Sequence, residues 1–280
     1  MTIMEAIERA KRLRQGREGS ASERQGAADG RSKARSKSTA EPAPMARLQV
    51  PRYELDPRVC EQSRILVPSA IDRSYSTITD AYRILRTRLW AQVQSGGWDS
   101  VAITSAGPGE GKSVTALNLA MSMAFDKKRN VFLLDLDLRN PSICRYIGAK
   151  PKAGIGNYLA GEVQADEILF SVGVDNLILA GGLTSYVHSA ELLGSGRLQE
   201  LIAHIRSIDP NAMILADLPP LLSTADALVV APLLSATVLV VADGVTQRDS
   251  LDRAIEVLAG VKVAGIVLNH ARESIGTYYG

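Results

Sequence analysis

Short apolar runs alternate with helical or loop segments along most of the chain. Six such runs follow residue 100, and none contains a charged residue before its last position. The predicted strands are 101–104, 131–135, 177–180, 213–217, 237–242 and 263–268. Continuous apolar strands separated by helices are typical of a parallel sheet that is buried on both faces. The pattern therefore predicts an α/β fold with a mostly parallel central sheet and helices on both faces.

A helix is predicted before the first strand, over residues 72–90. Its apolar stripe consists of Ala81, Ile84, Leu85 and Leu89. A second face carries Asp80, Arg83 and Arg86, which follow one another at spacing i, i+3, i+6. This charged face predicts a contact with a neighbouring subunit in an oligomer, and a solvated helix surface is the alternative.

The N-terminal quarter of the chain has a different composition. Residues 1–14 place Ile3, Met4, Ile7, Ala10 and Leu13 on one stripe flanked by basic residues, which predicts a short basic amphipathic helix. Such a helix binds an acidic membrane or a partner groove, or frays in water. Residues 15–51 hold almost no large apolar side chain, and residues 53–70 show no clear pattern. We therefore expect a largely disordered or irregular tether over 15–71.

Charge and cysteine usage narrow the functional classes. Residues 1–64 carry 14 Lys and Arg against 9 Asp and Glu, whereas the remaining residues carry 18 against 21. The globular part is thus net acidic without a basic stripe, which argues against specific nucleic-acid binding. Cys60 and Cys144 offer neither a disulfide framework nor metal-ligand spacing. Without a long apolar run or a signal peptide, we expect a cytoplasmic protein that reaches a membrane only through a partner.

A glycine-rich loop joins the first strand to the next helix. It matches G-x-x-x-x-G-K-[ST] except that Ala106 replaces the first glycine. Glycines let successive N–H groups point at a polyphosphate, Lys112 can reach its β and γ phosphates, and Ser113 can ligate Mg²⁺. The predicted nucleotide-binding residues are Gly107, Pro108, Gly109, Glu110, Gly111, Lys112, Ser113 and Val114. A glycine-rich turn with a solvated Lys112 is the alternative.

Polar residues follow three of the other predicted strands. Asp135 and Asp137 end the second strand together with Arg139, and their spacing places both carboxylates on one face. Ligands bind at the carboxyl ends of parallel strands, so this edge suits Mg²⁺, a bound water and an attacking hydroxyl. Asp217 ends another strand and could steady Mg²⁺, and the amide of Asn269 could pair with an adenine edge. Ordinary strand-end and turn residues are the alternatives.

Three stretches, 106–113, 133–139 and 216–220, together resemble the nucleotide motifs of bacterial tyrosine kinases, the autokinases of exopolysaccharide and capsule assembly. The resemblance covers about residues 72–280. Residues 80–86 are similar to the family's E-x-x-R-x-x-R oligomer contact, with Asp80 in place of Glu. The related septum-placing and plasmid-partition ATPases carry a lysine at the position of Gly107, so its absence favours a kinase.

The resemblance implies a P-loop kinase domain over 72–270 and a tyrosine tail over 271–280. It implies ATP and Mg²⁺ as cofactors, with roles for Lys112, Ser113, Asp137 and Asp217 in holding them, and Asp135 as the acceptor of the tyrosine proton. Arg139 belongs to the same catalytic motif.

The resemblance also implies a homo-oligomeric ring in which subunits phosphorylate one another on Tyr278 and Tyr279. These are only two tyrosines where the family usually has a cluster. The implied partner is a separate membrane protein that regulates polysaccharide chain length, which would hold the kinase at the inner face of the membrane. An ATPase that acts as a nucleotide-dependent assembly switch, without tyrosine phosphorylation, is the alternative function.

Overall fold

A seven-stranded sheet lies at the centre of the part of the chain that the computed structural model describes, which is residues 50–67, 77–127 and 129–271. Its strands are β1 Ser100–Ser105, β2 Val131–Asp135, β3 Phe170–Ser171, β4 Leu177–Ala180, β5 Met213–Asp217, β6 Ala236–Ala242 and β7 Val263–Asn269. Their order is β3-β4-β2-β5-β1-β6-β7, and only β3 runs antiparallel to its neighbour. The predicted α/β fold with a mostly parallel sheet is therefore confirmed.

The five inner strands explain why the apolar runs are continuous. Every residue of β1, β2, β4, β5 and β6 is buried. Because successive side chains point to opposite faces of a sheet, burial at every position means that both faces are covered. All six predicted strands are present, with bounds that differ by at most one residue. The sequence missed β3, which is only two residues long.

The structure describes ten α-helices, which are α1 Pro57–Gln62, α2 Thr77–Gly96, α3 Lys112–Phe125, α4 Ile143–Ile147, α5 Ile155–Leu159, α6 Ala165–Ile168, α7 Ser189–Leu193, α8 Arg197–Ile208, α9 Asp226–Val230 and α10 Arg248–Val257. A short 3₁₀ turn, Ala231–Leu233, follows α9. Helix α3 is rich in Ala, Leu and Met, which are good helix formers, and nearly all of its residues are buried. It is therefore a central helix of the core rather than an amphipathic surface helix.

Helix α2 turns part of the predicted apolar stripe inward, since Leu89 is buried and Leu85 packs against the core, but Ile84 departs from the prediction. Ile84 is 41% exposed, whereas Thr79, Leu89 and Trp90 are buried. Arg86 contacts the neighbouring helix, since its Nη1 donates to the main-chain oxygen of Ser122 in α3 at 3.0 Å. The assignment of Ile84 to the buried stripe is thus wrong. Hydrophobicity alone did not show that the polar Arg86 contacts α3. Helix α2 also continues six residues beyond the predicted end.

Residues 50–67, which we call the N-terminal strap, pack against the domain. The backbone of Tyr53 donates to the Ser171 oxygen, and Ser171 donates to Pro51, both at 2.9 Å, so this stretch pairs with the edge strand β3. Asp56 caps α1 through its side chain, and Cys60 is fully buried. The sequence placed this stretch in a largely disordered or irregular tether, because its few apolar residues have no period.

The N-terminal strap is attached to two helices of the domain. The Oδ1 atom of Asn118, in α3, accepts from the Leu66 backbone at 2.8 Å, and its Nδ2 donates to the Arg64 oxygen at 3.0 Å. The backbone of Asp56 donates to Ile147, the last residue of α4, at 3.1 Å. The strap therefore connects the helix that follows the glycine-rich loop to the helix that follows the second strand.

Several sequence predictions lie outside the described residues. They are the basic helix over 1–14, the tether over 15–49 and 68–71, the start of the predicted helix at 72–76, and the tyrosines Tyr278 and Tyr279. Among the described residues, no helix is both long and apolar enough to cross a membrane. Cys60 and Cys144 are free and buried.

Candidate nucleotide site

The glycine-rich loop connects β1 to α3 and needs glycine at two positions. Gly109 and Gly111 have φ angles of 77° and 88°, in the left-handed region that other residues rarely adopt. Gly111 is the N-cap residue of α3, a helix of 14 residues. The loop therefore ends at the N-terminus of a long helix, where unpaired N–H groups and the helix dipole favour an anion such as phosphate.

Glu110 holds the loop in shape rather than facing solvent. Its buried side chain accepts from the Ala106 backbone at 3.0 Å and from the Thr246 hydroxyl at 2.8 Å. The Nδ2 atom of Asn269, at the end of β7, donates to the Glu110 main-chain oxygen at 2.9 Å. Asn269 thus ties β7 to the loop, and its predicted contact with an adenine edge stays a prediction. The sequence missed Thr246, since an isolated threonine in a loop carries no signal.

Replacing Gly111 with alanine is expected to weaken nucleotide binding at least tenfold. A Cβ at this position would collide with Nδ2 of Asn269, so the bond to Glu110 could not persist. The left-handed backbone adds a cost of about 1–2 kcal/mol for any residue with a side chain. Titration with a fluorescent ATP analogue measures the effect.

Gly196 provides the matched control for this substitution. It has the same φ of 88° and also caps a helix, but a Cβ there meets nothing within 4 Å. Gly196→Ala should lower stability and leave nucleotide affinity unchanged. Equal affinities for Gly111→Ala and the wild type would contradict the assignment of this loop to nucleotide binding.

Lys112, Ser113, Asp137 and Asp217 meet at the carboxyl ends of the strands. The Nζ atom of Lys112 donates to Asp137 Oδ2 at 2.7 Å and to the Ser113 hydroxyl at 3.1 Å, and it lies 3.6 Å from Asp217 Oδ1. All four side chains are buried. The register of β2 and β5 places Asp135 directly opposite Asp217. The structure thus brings five predicted site residues into one cluster.

The ammonium of Lys112 lies among three carboxylates in this cluster. Burial alone lowers the pKa of the Lys112 ammonium, but the carboxylates of Asp217 and Asp137 outweigh it and the pKa lies above its usual value. Burial raises the pKa of Asp217. The positive charge of Lys112 lowers it, but the effect of burial is larger. The oxygens of Asp217 accept no short hydrogen bond among the described residues, although Lys112 Nζ lies 3.6 Å from Oδ1 and Ser113 is nearby. This leaves Asp217 with unused acceptor capacity next to the phosphate loop.

Asp135 and Asp137 differ in how their oxygens are used. Oδ2 of Asp135 accepts from the backbones of Ser142 and Ile143, both at 3.0 Å, whereas Oδ1 has no hydrogen-bond partner among the described residues. Both oxygens of Asp137 are engaged, one by Lys112 and the other by the Asn140 backbone at 3.1 Å. Burial and the charge of Asp217 raise the pKa of Asp135 to about 7. Of these two aspartates, Asp135 is therefore the one whose carboxylate is held in a fixed orientation with one oxygen, Oδ1, left without a hydrogen bond among the described residues.

Arg139 follows Asp137 by two residues and contacts other elements. Its Nε donates to the hydroxyl of Ser189 at 3.0 Å and lies 3.6 Å from Oδ2 of Asp226. The Ser185 hydroxyl donates to the main-chain oxygen of Arg139 at 2.6 Å. The sequence missed all three partners, because each lies more than 40 positions away along the chain. The structure therefore links the second strand to α7 and α9 through Arg139.

The predicted oligomer residues on α2 are split. Arg83 and Asp80 pair with each other at 3.1 Å, and their side chains are 38% and 46% exposed. Arg86 instead donates to α3, as described above. Asp80 and Arg83 thus remain accessible to a neighbouring subunit, whereas Arg86 supports the helix that carries Lys112.

Comparisons with known proteins fit this geometry. The ParA family profile, described as "NUBPL iron-transfer P-loop NTPase", matches residues 98–274. The tyrosine-protein kinase YwqD of Bacillus subtilis (strain 168) is 30% identical over 213 residues, which cover 75% of this chain and 89% of YwqD. The succinoglycan biosynthesis transport protein ExoP of Rhizobium meliloti (strain 1021) is 34% identical over 219 residues, which cover 74% of this chain but 26% of ExoP. The structure of the BceF tyrosine kinase domain matches with a TM-score of 0.65 and 25% identity, and covers 80% of this chain and 95% of that domain.

Proposed function

The chain belongs to the ParA family of P-loop NTPases and, within it, to the bacterial tyrosine-protein kinases, and we propose that it transfers the γ-phosphoryl group of ATP to tyrosine side chains. The observation that carries this proposal is the cluster around Lys112. A phosphate loop, a buried lysine and three aspartates meet at the ends of β2 and β5, and one of those aspartates, Asp135, has an oriented but unused oxygen.

Lys112 and the amides of the glycine-rich loop would hold the triphosphate. The Lys112 ammonium lies between Asp137 and Asp217, so a bound γ-phosphate would add a third negative group within its reach. Phosphoryl transfer needs mainly positioning and charge neutralisation, which a fixed ammonium in a buried site supplies efficiently. The same groups would also bind ADP after the transfer.

The residues near the loop fit a magnesium ion. Among the described residues, no group of three or more His, Cys, Asp or Glu side chains could hold a metal by itself. Mg²⁺ in nucleotide sites usually takes one or two carboxylates together with phosphate oxygens and water, so a dedicated cluster is not required. Ser113 and Asp217 would hold the ion directly or through water, with Asp137 nearby, and the ion would neutralise charge on the phosphates.

Asp135 is the residue that would accept the tyrosine proton. In the transfer, the tyrosine oxygen forms a bond to the γ-phosphorus, the bond from that phosphorus to the ADP oxygen breaks, and the phenolic proton passes to Oδ1 of Asp135. Two backbone amides fix the other oxygen, so Oδ1 has a defined direction. Asp135 is fully buried, and an acceptor tyrosine therefore reaches it only when the residues that cover it move.

We propose Tyr278 and Tyr279 as the acceptors, within a ring of identical subunits. About ten residues follow β7, and an extended segment of that length reaches about 35 Å, enough to enter a neighbouring site. The relative ExoP is named for succinoglycan biosynthesis transport. In this proposal the chain regulates the assembly and export of an exopolysaccharide or capsule, at the inner face of the membrane and through a separate membrane regulator of chain length.

Incubation of the purified full chain with labelled ATP and Mg²⁺ tests the proposal. We expect alkali-stable phosphotyrosine in the C-terminal peptide, detected by mass spectrometry, and its loss in the double variant Tyr278→Phe, Tyr279→Phe. Tyr146→Phe is the control and should be labelled normally, since Tyr146 lies in α4 within the domain. Phosphate release without protein labelling would instead support a nucleotide-dependent assembly switch.

A further inference from the structure

Asp226 is a fully buried acid that the proposed reaction does not use. It opens α9, and neither of its carboxylate oxygens has a hydrogen-bond partner among the described residues. The guanidinium of Arg139 lies next to it, with Nε 3.6 Å from Oδ2. Asp226, Arg139 and Ser189 form a small group that we call the Arg139 cluster. It joins α7, α9 and the loop after β2.

A stabilising role does not account for Asp226. Removing a carboxylate from water costs several kcal/mol, and an ion pair without hydrogen bonds offsets this poorly. Asp209 shows the ordinary solution in the same protein, since its two oxygens accept from Asn130 Nδ2 and from the Asn211 backbone, both at 2.8 Å. Asp226 has no such bonds among the described residues, so its buried carboxylate contributes little to stability.

The charge of Asp226 acts on the orientation of Arg139. Nε is the inner nitrogen of the guanidinium. It donates to the Ser189 hydroxyl at 3.0 Å and lies 3.6 Å from Oδ2 of Asp226. No described residue hydrogen-bonds to the two terminal amino groups, and the Arg139 side chain is 48% exposed. A guanidinium held through its inner edge presents a planar pair of donors, which matches two oxygens of a phosphoryl group.

The position of Arg139 in the chain connects this cluster to the phosphate loop. Arg139 follows Asp137 by two residues, and Asp137 bonds to Lys112 at 2.7 Å. The Ser185 hydroxyl also fixes the backbone of Arg139 at 2.6 Å. Backbone and side chain are thus both restrained, which leaves the terminal amino groups as the part of Arg139 free to bind a ligand.

We propose that Asp226 is a positioning residue, which together with Ser189 holds Arg139 so that its terminal amino groups contact the phosphoryl group during transfer. This inference rests on the proposed function, because it assigns a role within the same site. Through Asp226, α9 would affect the rate of phosphoryl transfer although it is not part of the phosphate loop.

Asp226→Asn tests the inference with little change in shape. The rate of phosphotyrosine formation should fall at least tenfold, while the affinity for ATP changes less than threefold, since the contact matters most in transfer. The melting temperature should stay the same or rise, because a buried charge is removed. Ser189→Ala, a smaller change, should lower the rate about threefold, since Asp226 still attracts Arg139.

Asp209→Asn is the matched control. It neutralises another buried acid, far from the phosphate loop in sequence and bonded by two donors, so it should lower the melting temperature and leave the rate unchanged. Arg139→Ala should be as slow as the double variant Arg139→Ala, Asp226→Asn, because Asp226 acts through Arg139. A wild-type rate for Asp226→Asn, a rate loss explained by a lower melting temperature, or additive losses in the double variant would each overturn the inference.

The failure of the proposed function would be seen separately. If the wild type releases phosphate but forms no phosphotyrosine, the kinase assignment fails. The same comparison of Asp226→Asn with the wild type is then made on phosphate release, which is also a phosphoryl transfer. A tenfold slower release with unchanged ATP affinity supports the role of Asp226, and equal release overturns it.

Discussion

Replacing Lys112 with methionine is expected to reduce phosphotyrosine formation by about a thousandfold or more. Methionine keeps most of the length of the side chain but removes the ammonium that contacts Asp137 and Ser113 and lies near Asp217. A charge placed in advance in a buried site typically contributes about 10²–10³-fold, and here the same group also binds the phosphates. Labelling with radioactive ATP measures the rate, and a titration measures the affinity.

Lys262→Met is the control for the loss of a positive charge. Lys262 lies over the ring of Trp98, at 5.6 Å from its centre, and has no contact with the phosphate loop. It should leave the rate unchanged. If Lys112→Met kept a rate within tenfold of the wild type, the role of Lys112 at the phosphates would be wrong.

Asp135→Asn is expected to lower phosphotyrosine formation by about 10²–10⁴-fold, the range that general-base catalysis contributes. The asparagine oxygen can still accept from the Ser142 and Ile143 backbones, so the local structure should persist. The amide cannot accept the tyrosine proton. Rapid-quench measurement of labelling, together with the affinity for ATP in the presence of Mg²⁺, separates catalysis from binding.

Asp217→Asn distinguishes a base from a metal-site residue, because Asp217 faces Asp135 across β2 and β5. We expect this variant to weaken the binding of ATP with Mg²⁺ much more than the binding of ATP without the ion. Asp135→Asn should show less than a threefold change in either affinity. A large loss of Mg²⁺-dependent affinity in Asp135→Asn would instead assign Asp135 to the metal and leave the base unidentified.

The sequence predicted the elements whose signal is local. The inner strands are buried on both faces, so each gives a continuous apolar run that is easily recognised. Lys112 and Ser113 lie in a loop whose geometry follows from its glycines, and Asp135, Asp137 and Asp217 follow apolar runs directly. Because the carboxyl ends of parallel strands meet at one edge, their proximity could be predicted without knowing the strand order.

Contacts between distant residues could not be predicted in the same way. Asp226, Thr246 and Asn118 each act through a partner more than 50 positions away, and none belongs to a pattern. The donors that orient Asp135 are backbone amides, which every residue except proline carries. The exposure of Ile84 could not be predicted either, since hydrophobicity does not show which face of α2 packs on the core, and the bond from Arg86 to α3 carries no local signal.

The N-terminal strap also decides which edge of the sheet remains open. An edge strand offers unpaired N–H and C=O groups to any other chain, and such edges are common sites of aggregation. Here Pro51 and Tyr53 satisfy the backbone of Ser171, and the Tyr53 ring packs edge-on against Phe170, with ring centres 5.5 Å apart. A shortened chain that began at residue 72, where composition places the domain boundary, would uncover this edge together with the apolar surface now packed against Cys60. Self-association through β3 would then compete with any ordered assembly of subunits.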